Sequence, residues 1–439
     1  MYKLSKFIIK LEKDTSVILY STFTTSIVEL EKNVYTDIFD KGLLEKHREY
    51  VSELYELGFI TDKDYDETAF MQELRERNMK ANDAEAGYYI ITPTTLCNAR
   101  CYYCFENGSD KADMSIETAE AVSRYIINNH DPKNLTIQWF GGEPLLRPEI
   151  ISLISNRLNA ENIRFKSKII TNGYLLSNEL IEKALNEWRV ETVQITIDDI
   201  GEKYNKIKNY VYENTDAFSI VMNNILQALQ SGLKIRVRIN FNPKEYEHTI
   251  GIVKYLKDKF QDEPNLFMYL APIDFASENI PSITGSFDNE AKHPLIALLD
   301  AEDEYCSFGN YDINEADNDD EISQILRKYY LTPIPTSCYG GCDDAVTIDA
   351  QGDIYVCHRL IGHKEYSSGN VFFGKLKNEI YKHYTNTKIE SEECNNCNLL
   401  PICQGGCKYR AFAYGKDHAC TMVKGASVQL LARVIKELE

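Results

Sequence analysis

Three cysteines lie close together at Cys97, Cys101 and Cys104, in a C-x3-C-x2-C arrangement. The segment before them, residues 88–94, has the β-branched and aromatic composition of a strand. Three thiolates on one short loop can hold three irons of a four-iron cluster, which leaves the fourth iron open to another ligand. A structural zinc site closes all four positions instead. A zinc site that takes a fourth ligand from elsewhere, or reduced structural thiols, are the alternatives.

Most of the remaining cysteines are concentrated near the C-terminal end. The chain has twelve cysteines, of which eight lie between Cys338 and Cys420. The spacing is C-x3-C-x9-G-x4-C from Cys338, then C-x2-C-x5-C-x3-C from Cys394. In a chain of cytosolic character, this clustering indicates metal binding and not a disulfide framework. Two four-cysteine zinc sites would use the same eight residues.

The composition is that of an ordinary globular protein. With 439 residues, 44% hydrophobic and 26% charged, the chain is long enough for two or three domains. The sequence contains no apolar run of membrane-spanning length and no signal-peptide pattern, so we expect a cytoplasmic protein without a membrane partner. The net charge of −19 argues against nucleic acid partners.

Residues 1–84 have the pattern of a small separate domain. Short β-rich runs precede amphipathic helical patterns, an order that is typical of a winged-helix-like domain. The predicted strands cover 7–11, 16–20 and 26–30, and the predicted helices cover 31–39, 46–57 and 66–80.

From residue 88 onward, strand and helix patterns alternate, which predicts an α/β fold with a partial (β/α)6 barrel over 85–275. The ends of these strands should carry the catalytic groups, and Cys97, Gly141, Thr171 and Asp198 all follow predicted strands. The predicted strands cover 88–94, 135–140, 166–170, 192–197, 234–241 and 266–271. The predicted helices cover 116–128, 148–158, 178–188, 217–230 and 248–260. An acidic bridging region at 276–335 and a cysteine-rich domain at 336–439 follow.

The cysteine loop, with Tyr103 at its aromatic position, resembles the cluster loop of the radical SAM enzymes. The resemblance implies that Cys97, Cys101 and Cys104 hold a catalytic [4Fe-4S] cluster whose open iron is chelated by S-adenosyl-L-methionine (SAM). One electron would then cleave the SAM sulfur–carbon bond, and the resulting deoxyadenosyl radical would abstract a hydrogen atom from carbon.

Motifs at the following strand ends also resemble this family. Gly-Gly-Glu-Pro at 141–144 is similar to the motif that binds the SAM amino group, and Gln-Ile-Thr-Ile-Asp at 194–198 is similar to QITLDG, with Asp199 in place of the glycine. Tyr204 stands where the family often has histidine. Ordinary turns and salt bridges are the alternatives for these motifs, and for Arg238 a pairing with the SAM carboxylate is implied. The resemblance assigns to SAM the residues Tyr103, Gly141, Gly142, Glu143, Thr171, Asn172, Thr196, Asp198, Arg238 and Asn240.

The C-terminal cysteines match the SPASM extension of radical SAM enzymes, an Fe–S domain with two auxiliary [4Fe-4S] clusters. Three clusters in all are therefore implied. Cys306 is the possible substitute for Cys338 as a ligand, although a small buried thiol is the simpler interpretation. His358 lies where some relatives have an acidic general base, and it is the candidate base here. The implied ligands are Cys338, Cys342, Cys357 and Cys407 for the first auxiliary cluster, and Cys394, Cys397, Cys403 and Cys420 for the second.

The N-terminal domain resembles the PqqD-like element that binds the leader of a precursor peptide. A leader strand would add to the edge at Ile27, Val28 and Glu29. The combination resembles maturases of ribosomally made peptides, with a cysteine thioether crosslink as the expected product and a flavodoxin- or ferredoxin-type protein as reductant. The alternatives are a carbon–carbon or ether crosslink, formylglycine formation in sulfatases, and a non-enzymatic zinc scaffold.

Overall fold

The computed structural model describes most of the chain. Cys306, Cys342 and most of the predicted bridging region lie outside the described residues, as does most of the predicted linker. The described residues are 2–81, 87–213, 215–241, 245–261, 263–272, 295–296, 299, 320–334, 338–341, 345–421 and 423–439. None of the helices in these ranges is both long and apolar enough to cross a membrane.

The N-terminal module, residues 2–81, contains two small antiparallel sheets and several helices. One sheet has the order β2-β3-β4, and β1 pairs with β5 in the other. The winged-helix-like order of elements is thus present, with the added β1–β5 pair. The strands are β1 (Tyr2–Leu4), β2 (Ile8–Glu12), β3 (Ser16–Ser21), β4 (Ile27–Glu31) and β5 (Ile60–Asp62). The α-helices are α1 (Lys32–Tyr35), α2 (Arg48–Glu56) and α3 (Glu67–Ala81), with a π-helical turn at Thr36–Asp40 and a 3-10 turn at Leu44–His47.

The central sheet confirms the prediction of an α/β partial barrel. Its strands lie in the order β11-β10-β9-β8-β7-β6-β12-β13; β6 to β12 are parallel in this sheet, and β13 is antiparallel to β12. The barrel strands are β6 (Tyr88–Ile91), β7 (Thr136–Trp139), β8 (Lys166–Thr171), β9 (Val190–Ile197), β10 (Lys234–Phe241) and β11 (Leu266–Pro272). The helices are α4 (Ile116–Asn129), α5 (Pro148–Ala160), α6 (Asn178–Asn186), α7 (Gly201–Lys208), α8 (Ala217–Gln230) and α9 (Tyr246–Phe260).

Side-chain alternation explains the two faces of this sheet. On β9, Val193, Ile195 and Ile197 are buried in the main apolar core between the strands and the helices. The alternate residues Gln194 and Thr196 point to the barrel interior and line a cavity there. The sheet therefore packs one face as a core and offers the other face to ligands.

The C-terminal region extends the sheet and then turns into short elements around the cysteines. The elements are α10 (Glu321–Lys328), β12 (Ala345–Ile348), β13 (Ile354–Tyr355), β14 (Gly369–Asn370), β15 (Gly374–Lys375), α11 (Glu379–Thr385), α12 (Glu392–Asn395), α13 (Leu400–Cys403), α14 (Lys408–Ala413) and α15 (Val423–Leu438). Buried Leu430, Leu431 and Val434 of α15 join a core that also contains Ile9 and Tyr20 of the N-terminal module. The two ends of the chain thus pack together.

Candidate active site

A cavity of about 1420 Å³ runs through the barrel interior. Cys97, Cys101 and Cys104 line its upper end, beyond the C-terminal ends of the strands. Eight of the ten residues assigned to SAM line the same cavity, and Glu143 and Asp198 lie behind its wall. The eight are Tyr103, Gly141, Gly142, Thr171, Asn172, Thr196, Arg238 and Asn240.

The cysteine loop offers sulfur atoms to which amide groups donate. The Ala99 backbone N–H donates to Cys97 Sγ at 3.4 Å, and Asn172 Nδ2 approaches the same sulfur at 3.9 Å. Burial raises the pKa of the Cys97 thiol to about 12, and the Glu143 carboxylate adds to this effect. Because metal binding requires thiolates, iron would have to displace the proton. The donors and the three converging cysteines fit an anionic iron–sulfur cluster.

Gly141 and Gly142 are required by the loop itself. A Cβ at Gly141 would lie 2.3 Å from Thr92 Cγ2, and a Cβ at Gly142 would lie 2.2 Å from the Leu96 carbonyl oxygen. Gly141 also has a φ of +112°. The turn after β7 is therefore pressed against the segment between β6 and the first cysteine, and a side chain at either position would push the two apart.

Glu143 is completely buried and holds two strand ends together. Its Oε1 accepts hydrogen bonds from the Leu145 backbone N–H at 3.0 Å and Thr171 Oγ1 at 2.7 Å. Its Oε2 accepts from the Asn172 backbone N–H at 2.8 Å. Burial raises the pKa of this carboxyl, and the hydrogen bonds counteract that effect. Glu143 thus connects the turns that line the cavity by hydrogen bonds. Its contact with the SAM amino group stays a prediction.

Lys208, which sequence reasoning missed, forms a buried network with Asp198. The two side chains are 3% and 4% exposed, and Lys208 Nζ lies 2.8 Å from Asp198 Oδ2. Tyr103 donates to the same oxygen at 2.8 Å, and the Asn240 amide donates to the other oxygen. Burial alone would lower the pKa of Lys208, but the adjacent Asp198 carboxylate reverses this and raises it well above the ordinary value. This network ties the aromatic residue of the cysteine loop to the ends of β9 and β10.

The last residue of α7 and the segment that follows it also pair with the cysteine loop. The Arg100 N–H donates to the Lys208 carbonyl oxygen at 2.8 Å, and the Val211 N–H donates to the Asn98 carbonyl oxygen at 2.9 Å. The polar 201–208 stretch has no clear helical periodicity, so the sequence contained little signal for it. Its C-terminal turn is nevertheless a second support of the loop.

Arg238 meets the description of an anion-binding residue. It lines the cavity, and its Nε atom is buried without a hydrogen-bond partner among the described residues. A buried guanidinium donor of this kind is costly unless a ligand satisfies it. Alternation along β10 puts Arg236, Arg238 and Asn240 on the same face. On that face Arg236 lies over the ring of Tyr269, which also lines the cavity.

His358 lies on the side wall of the cavity among aromatic rings. The Phe140 ring centre is 5.4 Å from that of His358, and Tyr339 stacks on its other side with a hydrogen bond to Nδ1. Burial lowers the pKa of His358 to about 4, so the imidazole is neutral at pH 7. The structure therefore brings this candidate base to the cavity, next to Cys357. Its use as a base stays a prediction.

The predicted auxiliary ligands converge in two places. Burial, together with the nearby Cys338 and Cys407, raises the pKa of Cys357 to about 12. Cys342, the fourth predicted member of this set, lies outside the described residues. The second set lines one small cavity of about 20 Å³ and consists of Cys394, Cys397, Cys403 and Cys420. The donors in both places are thiols, as iron–sulfur clusters or zinc require.

Comparison with known proteins supports this interpretation of the first site. Residues 91–262 match the family described as the Radical SAM superfamily. This stretch is similar to a radical SAM domain, and the chain is an enzyme. This domain implies a [4Fe-4S] cluster and SAM, which the cysteine loop and the cavity fit.

Relatives cover more of the chain than the domain alone. The chain is 23% identical to the radical SAM cyclopropyl synthase TigE of Paramaledivibacter caminithermalis, with 98% of this chain and 96% of TigE covered. It is 26% identical to a cysteine-type anaerobic sulfatase-maturating enzyme of Clostridium novyi, with 73% and 87% covered. The solved structure of Streptococcus suis SuiB bound to the precursor peptide SuiA matches with a TM-score of 0.53 at 17% identity, covering 96% of this chain and 99% of that one. The chain is thus similar in sequence to a cyclopropyl synthase and to a sulfatase-maturating enzyme, and it shares its fold with SuiB.

Proposed function

We propose that the chain is a maturase of a ribosomally made precursor peptide, in which it forms a new bond within the peptide. The observation that carries this proposal is the open edge of β4, in a chain that aligns with nearly the whole length of TigE. Within the residues that the structure describes, β4 pairs only with β3, so its outer edge is available to a strand from a partner.

The hydrogen bonds of this sheet define which residues a leader strand would meet. The Ser21 N–H donates to the Ser26 carbonyl oxygen, and the Lys32 N–H donates to the Thr15 carbonyl oxygen. Because inward and outward pairing alternates along an antiparallel strand, Val28 directs its backbone groups towards β3. Ile27 and Glu29 therefore direct their N–H and C=O groups outward. A PqqD-like leader site would use these two residues, with Val28 contributing packing.

The proposed chemistry uses the cavity between the cysteine sites. When bound, the first cluster and SAM supply a deoxyadenosyl radical that takes hydrogen from carbon. The protein would bind the cofactor at the strand ends and hold a neutral imidazole at His358 for a peptide proton. The two C-terminal cysteine sets would hold auxiliary clusters, for three in total, and a flavodoxin- or ferredoxin-type protein would deliver electrons.

A cysteine thioether is the product that we expect first. The full-length relation to a protein named a cyclopropyl synthase favours carbon–carbon bond formation as the second candidate. The relation to a sulfatase-maturating enzyme keeps formylglycine formation as a third candidate, although that match covers only 73% of this chain.

One experiment separates these outcomes. The anaerobically reconstituted enzyme is incubated with SAM, a reductant and peptides encoded beside its gene, and the products are examined by mass spectrometry. A peptide that has lost two hydrogens, and that has one fewer thiol able to react with iodoacetamide, indicates a thioether. A loss of two hydrogens with every thiol still reactive indicates a carbon–carbon or ether bond. A hydrazide-reactive aldehyde indicates formylglycine. Zinc in place of iron, with no deoxyadenosine, would overturn the proposal.

A further inference from the structure

The loop that carries Cys394, Cys397 and Cys403 is held by the N-terminal module. Three backbone carbonyl groups of this loop accept hydrogen bonds from side chains of the module. The contacts, donor first, are Lys6 Nζ to the Asn395 oxygen at 2.7 Å, Thr22 Oγ1 to the Asn398 oxygen at 2.5 Å and Arg75 Nη1 to the Gln404 oxygen at 3.0 Å.

The loop returns contacts to the module. Asn398 Nδ2 donates to the Ile8 carbonyl oxygen of β2 at 2.8 Å. Phe7 and Met71 form one buried apolar cluster with Cys394 and Leu400. The interface is thus both polar and apolar, and one cysteine of the second auxiliary set is itself a packing residue in it.

Arg75 is the central residue of this interface. It lies on α3, is only 4% exposed, and places its guanidinium on the Gln404 carbonyl. Burying a guanidinium is unfavourable unless hydrogen bonds compensate for the lost water. The hydrogen bond to the Gln404 carbonyl is therefore one of the contacts that offset this cost.

The position of that carbonyl has a consequence for the cysteine site. A trans peptide is planar, so the carbonyl of Gln404 and the N–H of Gly405 point in opposite directions. With the carbonyl on Arg75, the Gly405 N–H points away from α3, and Gly405 lines the small cavity with the four cysteines. Gln404 and Gly405 both have positive φ values, of 53° and 85°, so this backbone conformation depends on its surroundings.

We propose that the second auxiliary site and the N-terminal module are coupled, with Arg75 as the positioning residue that connects them. The inference rests on the proposed auxiliary cluster at Cys394, Cys397, Cys403 and Cys420. A cluster in this site would fix the conformation of loop 394–405, and the loop would then hold the N-terminal module in place. The module in turn would hold the loop in the conformation that binds the cluster. Because such coupling is reciprocal, whatever stabilises one side stabilises the other. A leader strand on β4 would therefore bind an element that is anchored on an iron–sulfur site.

The first test is Arg75→Met, which keeps the length of the side chain but removes its donors. The control is Arg77→Met on the same helix, because Arg77 is 65% exposed and pairs with Glu73, one turn away at 3.0 Å. Iron is counted and its release to a chelator is followed in the reconstituted full chain. For Arg75→Met we expect loss of about four irons per chain, or release of those irons about tenfold faster. Arg75→Met should still form deoxyadenosine at the wild-type rate in the absence of peptide. Arg77→Met should keep the iron content and the iron release of the wild type.

The reciprocal test needs no arginine variant, so it remains informative if Arg75→Met does not fold. Cys397→Ser removes one ligand, and hydrogen exchange then reports on β2 and α3. We expect about tenfold faster exchange in both elements, whereas the control Cys101→Ser, which affects the first cluster, should leave them unchanged. The coupling would be overturned, and the auxiliary cluster kept, by three results together. These are full iron in the wild type, unchanged iron release in Arg75→Met and unchanged hydrogen exchange in Cys397→Ser. A wild type that binds iron only at Cys97, Cys101 and Cys104 would overturn the auxiliary cluster as well.

Discussion

The first cysteine loop and the second auxiliary set present the same ligand type in opposite surroundings. Cys97, Cys101 and Cys104 lie at the mouth of a cavity of about 1420 Å³. The second set instead lines a cavity of only about 20 Å³; its members are Cys394, Cys397, Cys403 and Cys420. The first site has three thiols and room for a small molecule. The second has four thiols and no such room.

The difference shows how ligand number and free space together separate a reactive site from a closed one. The first loop is supported by strand ends and by the Asp198–Lys208 pair, so its position belongs to the barrel. The second is supported by the N-terminal module and by α12 and α13. Damage to the first site should therefore have effects that differ from those of damage to the second, and the following experiments compare the two.

Removal of one ligand from each site gives the largest expected contrast. Cys101→Ala should abolish deoxyadenosine formation and lower the iron content by about four per chain. Cys403→Ala should lower the iron content equally but leave SAM cleavage without peptide intact. Iron analysis and chromatographic assay of deoxyadenosine measure both effects. Equal loss of SAM cleavage in the two variants would contradict the division into a reactive and a closed site.

Breaking the buried ion pair tests the support of the first loop. Lys208→Met leaves the Asp198 carboxylate buried without its cation, which should lower the free energy of unfolding by about 3–5 kcal/mol. Combining it with Asp198→Asn should restore most of that loss, because no isolated charge remains. Urea denaturation of both variants provides the measurement. A double variant that is as unstable as Lys208→Met would show that packing, and not charge, makes the contribution.

The turn between β12 and β13 leads to Cys357 and gives a pH-dependent comparison. Burial raises the pKa of Asp349 to about 6, while its carboxylate accepts from the Asp353 N–H and from Tyr355. Because the folded-state pKa lies above the unfolded one, protonated Asp349 contributes to the free energy of unfolding. This contribution is fully present below about pH 4 and is lost as the pH rises through about 6. Asp349→Asn should remove a pH dependence of about 2–3 kcal/mol.

The measurement is the unfolding free energy of wild type and Asp349→Asn at several pH values between 4 and 7.5. The difference between the two proteins should change across this window and be constant above it. A constant difference at all pH values would show that Asp349 has an ordinary pKa in the folded protein.

The smallest effect is expected at the edge of β4. Glu29→Pro removes one outward N–H, and an outward-facing position of an edge strand tolerates proline. Leader affinity should fall about 3- to 10-fold, the contribution of one hydrogen bond. Glu29→Ala is the control, since it removes the charge but keeps the N–H. Titration of a fluorescent leader peptide gives both affinities, and equal values for the two variants would argue against pairing at this edge.

The barrel could be predicted from sequence because its strands alternate in a regular way. Val193, Ile195 and Ile197 mark the packed face of β9, and turn residues mark the ends of the neighbouring strands. The assignment of the cysteines to particular clusters came from the family resemblance, and it stays a prediction. The orientation of Glu143 could not be predicted, because a Gly-Gly-Glu-Pro motif does not say whether the carboxylate faces ligand or backbone.

Other features depend on contacts between distant segments. Lys208 ends a polar helix with weak periodicity, and only the fold brings it beside Asp198 and Tyr103. Arg75 lies in an ordinary charged helix pattern, yet it is buried against a loop more than 300 positions later in the chain. The sequence carries no local signal for either residue, since the partner that makes each one important is far away in the chain.

A single anaerobic reaction is the most direct test of the proposed maturase function. Deoxyadenosine and the mass of a candidate precursor peptide are measured in it together. We predict deoxyadenosine and a peptide that has lost two hydrogens, both dependent on Cys101 and on the leader sequence. An iron-loaded enzyme that cleaves SAM but leaves every leader-bearing peptide unchanged would contradict the proposed maturase function.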